Sequence, residues 1–171
     1  MKMSAEREIA APPEVVWAAL LDKDVLMQCV PGCQEMEGSA EEGFQATVVQ
    51  KVGPVKATFK GAVTLSDMVE GESLTLTGEG KGGAAGFAKG GADVRLAATE
   101  TGTMLSYDVE AKVGGKLAQL GSRIIDGFSK KMADQFFQRF QETVEGPGED
   151  GEDDAGETSE KKGWLKRLSG G

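Results

Sequence analysis

Cys29 and Cys33 are the only two cysteines in the chain, and it contains no histidine. A Cys-x-x-x-Cys pair with no other soft ligand cannot complete a tetrahedral zinc site, and the spacing is not that of a thioredoxin-type redox motif. The pair therefore reads as two structural thiols in a reducing compartment, and no metal ligand is assigned. The missing histidine excludes the common Ser-His and Cys-His nucleophile pairs. The carboxylates and Tyr107 show no spacing that assigns acid and base roles, so no catalytic residue is assigned either. What remains is the chemistry of apolar binding. Two stretches offer it: a stripe of large side chains between Gly115 and Val144, and a basic segment around Trp164.

In the first stretch Leu117, Leu120, Ile124, Phe128, Met132, Phe136 and Phe140 step by three and then by four, the spacing of an apolar stripe on a helix. Read as one helix, steps of four over-rotate by about 40° each, so the stripe slides roughly 160° between Ile124 and Phe140. The first half is expected to close the mouth of a curved sheet. Phe136, Phe137 and Phe140 should pack at its end or against another element.

The elements that must position this helix precede it. Lys2 to Ala10 alternates weakly and reads as a strand, stopped by Pro12-Pro13. Pro13-Glu14 opens a helix carrying Val15, Val16, Trp17, Leu20 and Leu21. Asp22 to Val30 reads as a second short helix, N-capped by Asp22 or Asp24 and ended by Pro31-Gly32. From Phe44 to Val113 the period is two, with Val48, Phe59, Val63, Leu76, Val94 and Tyr107 on apolar faces and Thr47, Lys60, Thr75, Asp93 and Asp108 on wet ones. About six antiparallel strands, each wet on one side, follow from this. An α+β domain results, in which a curved antiparallel sheet wraps around a long C-terminal helix.

Gly78 to Gly91 holds seven glycines in fourteen residues. Gly78, Gly80 and Gly83 match G-x-G-x-x-G formally, but no helix opens after them, so a dinucleotide site is rejected. A flexible hairpin beside a cavity mouth, presenting Phe87, is expected instead. Charge is divided along the chain: −5 over residues 1–144, −8 over 145–160 and +4 over 161–171. An acidic body argues against nucleic acid as a partner. The start of the chain lacks a signal-like apolar region and no run approaches 18 apolar residues, so a cytoplasmic location is expected.

Pro12-Pro13-Glu14-Val15-Val16-Trp17, Val30-Pro31-Gly32-Cys33, the run from Val113-Gly114-Gly115-Lys116-Leu117 to Leu120-Gly121-Ser122-Arg123, and Gln135-Phe136-Phe137-Gln138-Arg139-Phe140 resemble the carbon monoxide dehydrogenase G-subunit family. That family lies within the START-like, helix-grip superfamily. The resemblance covers roughly residues 1 to 144. It implies a helix-grip fold with an apolar cavity for lipids and other hydrophobic ligands. It also implies a role beside molybdenum hydroxylases of the carbon monoxide dehydrogenase type, in membrane recruitment, maturation or electron supply. No catalytic residue carries over. On pattern, the cavity is expected to be lined by Leu26, Met27, Val48, Phe59, Val63, Leu76, Phe87, Val94, Leu120, Ile124 and Phe128.

After Val144 the composition changes. Residues 145–160 read as an acidic, self-repelling linker. In residues 161–171, Trp164, Leu165 and Leu168 share one side of a helical turn, rimmed by Lys161, Lys162, Lys166 and Arg167. This end is expected to associate peripherally with the inner face of the cell membrane, a partner-docking motif being the rival. For function, the first expectation is a carrier of an isoprenoid quinone, menaquinone or ubiquinone, or a similar lipid, with no covalent cofactor. The second is an adaptor that recruits or assembles a dehydrogenase and holds no ligand of its own. An enzyme acting on a hydrophobic substrate is the weakest.

Overall fold

A computed structural model describes residues 1–146 of the chain. Its elements run β1 (Lys2–Ile9), α1 (Pro13–Leu20), α2 (Lys23–Cys29), β2 (Cys33–Ser39), β3 (Gly43–Val52), β4 (Val55–Val69), β5 (Ser73–Lys81), β6 (Phe87–Thr99), β7 (Gly102–Gly114), α3 (Lys116–Gln119) and α4 (Ser122–Glu145). The strands form a seven-stranded antiparallel sheet in the order β1-β7-β6-β5-β4-β3-β2. β2 to β7 are a meander of successive hairpins, and β1 closes beside β7, which is the cheapest antiparallel connectivity. The fold expected from the alternation is present: a curved sheet gripping a C-terminal helix.

Local sequence accounts for the connections. Pro12 caps α1 in an extended conformation and Pro13 opens it, where a missing N–H costs nothing. Of the two candidate aspartates, Asp22 is the cap of α2, its Oδ1 accepting from the amides of Asp24 at 2.8 Å and Val25 at 3.3 Å. The Pro31-Gly32 turn is clamped onto β3. Gly32 has φ +77°, its carbonyl accepts from the amide of Val49 at 2.9 Å, and a side chain there would strike the Val49 carbonyl. Gln50 donates its side-chain amide to the Pro31 carbonyl on the same turn.

The C-terminal helix departs from the expectation of one rod over 115–144. It is two helices, α3 and α4, separated at Leu120-Gly121. Gly121 has φ +90° and ψ 157°, a region essentially confined to glycine. α4 ends at Glu145, where Gly146 takes φ 76° and ψ 170°, again a conformation that favours glycine.

Two apolar clusters lie beneath the helices. One gathers Ile9, Val16, Trp17, Cys29, Leu74, Val94, Leu105, Tyr107 and Phe140, with Phe136 and Phe137 against it. There α1 and α2 plug the space between the sheet and the second half of α4. The Phe137 ring stacks on Tyr107 at 4.8 Å and meets Phe136 edge-on at 4.9 Å. The other cluster is smaller: Val52, Leu117 and Ile125, with Phe59, Val113, Leu120 and Phe128 packed on it.

Candidate functional site

Between the first half of α4 and the sheet lies a cavity of about 710 Å³, within the usual range for small-molecule sites. Its walls carry Val48, Val52, Phe59, Val113, Leu117, Ile125, Phe128 and Met132. The space exists because the inner face of the sheet is nearly bare there. Register sets Ala46, Gly61, Gly80, Ala88 and Val113 in one row across β3 to β7, and Phe44, Val63, Gly78, Gly90 and Ala111 in the next. Toward the other end the rows fill with Leu65, Leu76 and Val109, then Leu74, Val94 and Tyr107, and the helix sits on packed side chains. Of these rows Gly80, Ala88, Ala111 and Val113 line the cavity, so the glycine-rich segment supplies part of its floor in addition to its hairpin.

Other glycines bring backbones together at this end. A side chain on Gly86 would strike the Gly114 carbonyl, and one on Gly115 would lie 2.6 Å from Gly86 Cα. Phe59 lays its ring against Gly82 and Phe87 against Gly114. The exposed lining residues place its opening at the end of β7, α3 and the start of α4. Lys112, Ala118, Gly121, Ser122 and Asp126 are lining residues that are also exposed.

Of the eleven residues expected at the cavity, Val48, Phe59 and Phe128 line it. The other eight do not, each for a definite reason. Ile124 is 41% exposed, whereas its neighbour Ile125 is 7% exposed and points inward, because the break at Gly121 resets the helical phase. Leu120 lies at the break, against the Val52 cluster and near the β3–β4 hairpin at Gly53. Phe87 shares the outer-face parity of Lys89 and Asp93 and is 41% exposed. Leu76 and Val94 are on the inner face but belong to the packed Tyr107 cluster. Val63 is half-buried opposite Gly78. Leu26 and Met27 are half-buried on α2, which packs on β2 and the second half of α4. Trp164 and the rest of residues 161–171 fall outside the described residues.

A wider hollow of about 1240 Å³ occupies the opposite face of the sheet, bordered by Thr75, Thr77, Asp93, Asp108 and Glu110. Its Thr, Ser, Asp, Glu and Lys side chains make it more polar than the cavity beneath α4. Among the described residues no group of three or more His, Cys, Asp or Glu could hold a metal, and no helix is long and apolar enough to cross a membrane.

The matched family reaches across almost all of the described fold. The carbon monoxide dehydrogenase G-subunit (CoxG) family matches residues 6–145. The chain belongs to that family. No curated protein matches the chain. Among solved structures it resembles a conserved protein from Geobacillus kaustophilus, with 27% identity and a TM-score of 0.78 over 84% of this chain and 95% of that one. Proteins from Mesorhizobium loti (18% identity, TM-score 0.62, 85% and 97% covered) and Chromobacterium violaceum (20%, 0.61, 85% and 98%) share the fold.

The thiols sit apart from the CoxG cavity. Cys29 is fully buried in the Tyr107 cluster and Cys33 is half-buried. Burial pushes both thiols above the ordinary value of 9.0, opposed for Cys29 by Thr143 and for Cys33 by the Glu35 backbone. Burial likewise raises Tyr107 above 10.0, with Asp134 adding to it. A folded-state pKa above the unfolded one favours the folded chain below the unfolded value and loses that contribution as pH rises through the folded one. The melting temperature should therefore fall as pH is taken from 8 past 9 and 10, and Cys29 should resist iodoacetamide until the chain unfolds. Rapid alkylation of Cys29 at pH 8 in the folded protein would contradict this placement.

Proposed function

We propose that this CoxG-family protein is a non-catalytic carrier of an isoprenoid quinone, menaquinone or ubiquinone, or a similar lipid. It serves a carbon monoxide dehydrogenase of the molybdenum hydroxylase type, at the inner face of the cell membrane. The observation that carries the reading is the apolar cavity floored by small residues beneath α4. A core held only for stability would fill that floor, since glycine in a strand weakens it. Burying about 300 Å² of an isoprenoid tail is worth roughly 7 kcal/mol at 25 cal/mol per Å². No catalytic side chain is required for that.

The lining fits such a cargo. Aliphatic and aromatic side chains surround the interior, while Lys112, Ser122, Asp126 and Ser129 bring hydrogen-bonding groups to its border. A quinone accepts electrons at the enzyme it serves; the carrier's residues shield it from water and release it. Reversible contact with the membrane through residues 161–171 completes the cycle.

Mass spectrometry of organic extracts from the purified full chain, prepared with and without membrane fractions, tests the cargo. A quinone or lipid recovered in near-stoichiometric amount is expected, and none after membrane exposure would remove the carrier reading in favour of an adaptor. Deleting residues 161–171 should sharply weaken sedimentation with anionic liposomes while leaving the melting temperature unchanged.

A further inference from the structure

The lysines of the sheet are not spread evenly. Register places Lys51 opposite Lys56, Lys60 opposite Lys81, and Lys89 opposite Lys112. Like charges directly opposite in a sheet are destabilising. Three such pairs therefore work against the fold, and all lie toward the end where the cavity opens. Lys116 on α3 and Arg123 in the first turn of α4 are exposed at the same end. Glu35, Glu37, Glu79 and Asp126 are interspersed, the first three around Lys60 and Lys81, yet the ion pairs within 4.0 Å among the described residues are Lys2–Glu110 and Arg95–Asp108, which use none of these cations.

The opposite end is acidic. Glu41 and Glu42 occupy the β2–β3 turn, Asp67 the last residues of β4, Glu70 and Glu72 the β4–β5 connection, and Glu100 the β6–β7 turn. A domain of net charge −5 over residues 1–144 thus turns a basic end outward around its cavity opening. Two large apolar side chains, Phe87 and Ile124, are each 41% exposed at this end. An acidic peptide would pair with the lysines and leave both uncovered. A bilayer with anionic headgroups satisfies both, because its surface attracts cations and its boundary accepts apolar side chains.

We infer that the basic end of the folded domain docks on an anionic lipid surface with the cavity opening against the leaflet. The contact is separate from that of residues 161–171. Docking in this orientation lets an apolar ligand pass between bilayer and cavity without crossing water, so its purpose rests on the carrier reading although its test does not. The tail holds the protein near the membrane, and the basic end orients it.

The test uses the full chain with Lys51→Gln, Lys56→Gln, Lys81→Gln and Lys116→Gln together. A control of equal charge change carries Lys23→Gln, Lys130→Gln, Lys131→Gln and Arg139→Gln. Each is compared with wild type for sedimentation with phosphatidylcholine vesicles, with and without phosphatidylglycerol, and for uptake of decylubiquinone from them. The same substitutions are repeated with Trp164→Ser and Leu168→Ser. The basic-end variant should lose at least about tenfold in affinity for phosphatidylglycerol vesicles in both backgrounds, while the control loses far less. Its melting temperature should hold or rise as repulsion between opposed lysines is relieved. Equal vesicle binding by wild type and the basic-end variant, or an equal loss in the control, would overturn the docking face. So would intact vesicle binding combined with lost binding to a dehydrogenase, which would assign the end to a protein. If no variant takes up decylubiquinone while lysine-dependent vesicle binding persists, the carrier reading falls and the docking face stands.

Discussion

Gly80→Leu should nearly eliminate binding of an apolar probe while leaving the domain folded. Gly80 lies on β5 between Gly61 and Ala88 in the cavity floor. A Cβ built there meets a single heavy atom within 4 Å, the Lys60 carbonyl oxygen at 4.0 Å. Its backbone is not left-handed, so a side chain is accepted and projects into the cavity. Excluding a ligand from about 100 Å² of contact costs roughly 2.5 kcal/mol, or about 70-fold in affinity. Stability should hold or rise, because leucine suits a strand interior better than glycine does. Gly90→Leu is the contrasting variant: its Cβ would strike the Glu110 carbonyl and lie 2.7 Å from Ala111 Cα, so the sheet must part. Fluorescence titration with the probe and thermal melts separate the two. Undiminished probe binding by a folded Gly80→Leu protein would show that the cavity is not the binding site.

That prediction depends on a feature the sequence carried without disclosing. Period-two alternation placed the strands and their wet faces, and Pro13, Asp22 and Pro31-Gly32 placed the ends of the first two helices. A glycine has no hydropathy to assign a face, so seven glycines in fourteen residues suggest a hairpin and do not disclose a floor. Only register, set by the lengths of the strands and their turns, brings Gly61 beside Gly80 and Gly78 beside Gly90. Phe87 was recoverable: extending the alternation of Asp93 and Arg95 back along β6 puts it on the outer face. Leu76 and Val94 had the right face and the wrong end, because period two says nothing about position along a strand.

The helix teaches a different lesson. Counting from Leu117 through Leu120 to Ile124 assumes one continuous cylinder, and Gly121 interrupts it. A glycine inside a helix costs about 1 kcal/mol relative to alanine, so its presence was a signal that the phase before it need not hold after it. Counted from Ser122, the stripe begins at Ile125 and runs through Phe128 and Met132 to Phe136 and Phe140, which is the observed order of burial. Leu26 and Met27 were beyond sequence reasoning of this kind. Periodicity gives α2 an apolar side but not the partner it chooses, which is the far half of α4.

The same division of α4 governs the second large effect. Phe140→Ala should cost about 3 to 5 kcal/mol, lowering the melting temperature by roughly 10 °C for a chain of this size. Phe140 is 0% exposed and sits among Ile9, Val16, Trp17 and Leu105 in the packed cluster. Its ring lies parallel to Phe136 at 6.0 Å and edge-on to Phe137 at 6.3 Å, so its removal also strips contacts that aromatic pairs add beyond area. α1 and α2 close over this cluster and hold it rigid, which limits collapse into the gap. Neither Phe140 nor its aromatic neighbours line the cavity, and mutations at sites without shared partners act nearly independently. Measured well below its melting temperature, the Phe140→Ala protein should therefore bind the apolar probe with wild-type affinity. In the Gly80→Leu, Phe140→Ala double variant the two losses should appear together and undiminished. A drop in probe affinity from Phe140→Ala alone would mean that the packed end and the open end of α4 move as one body.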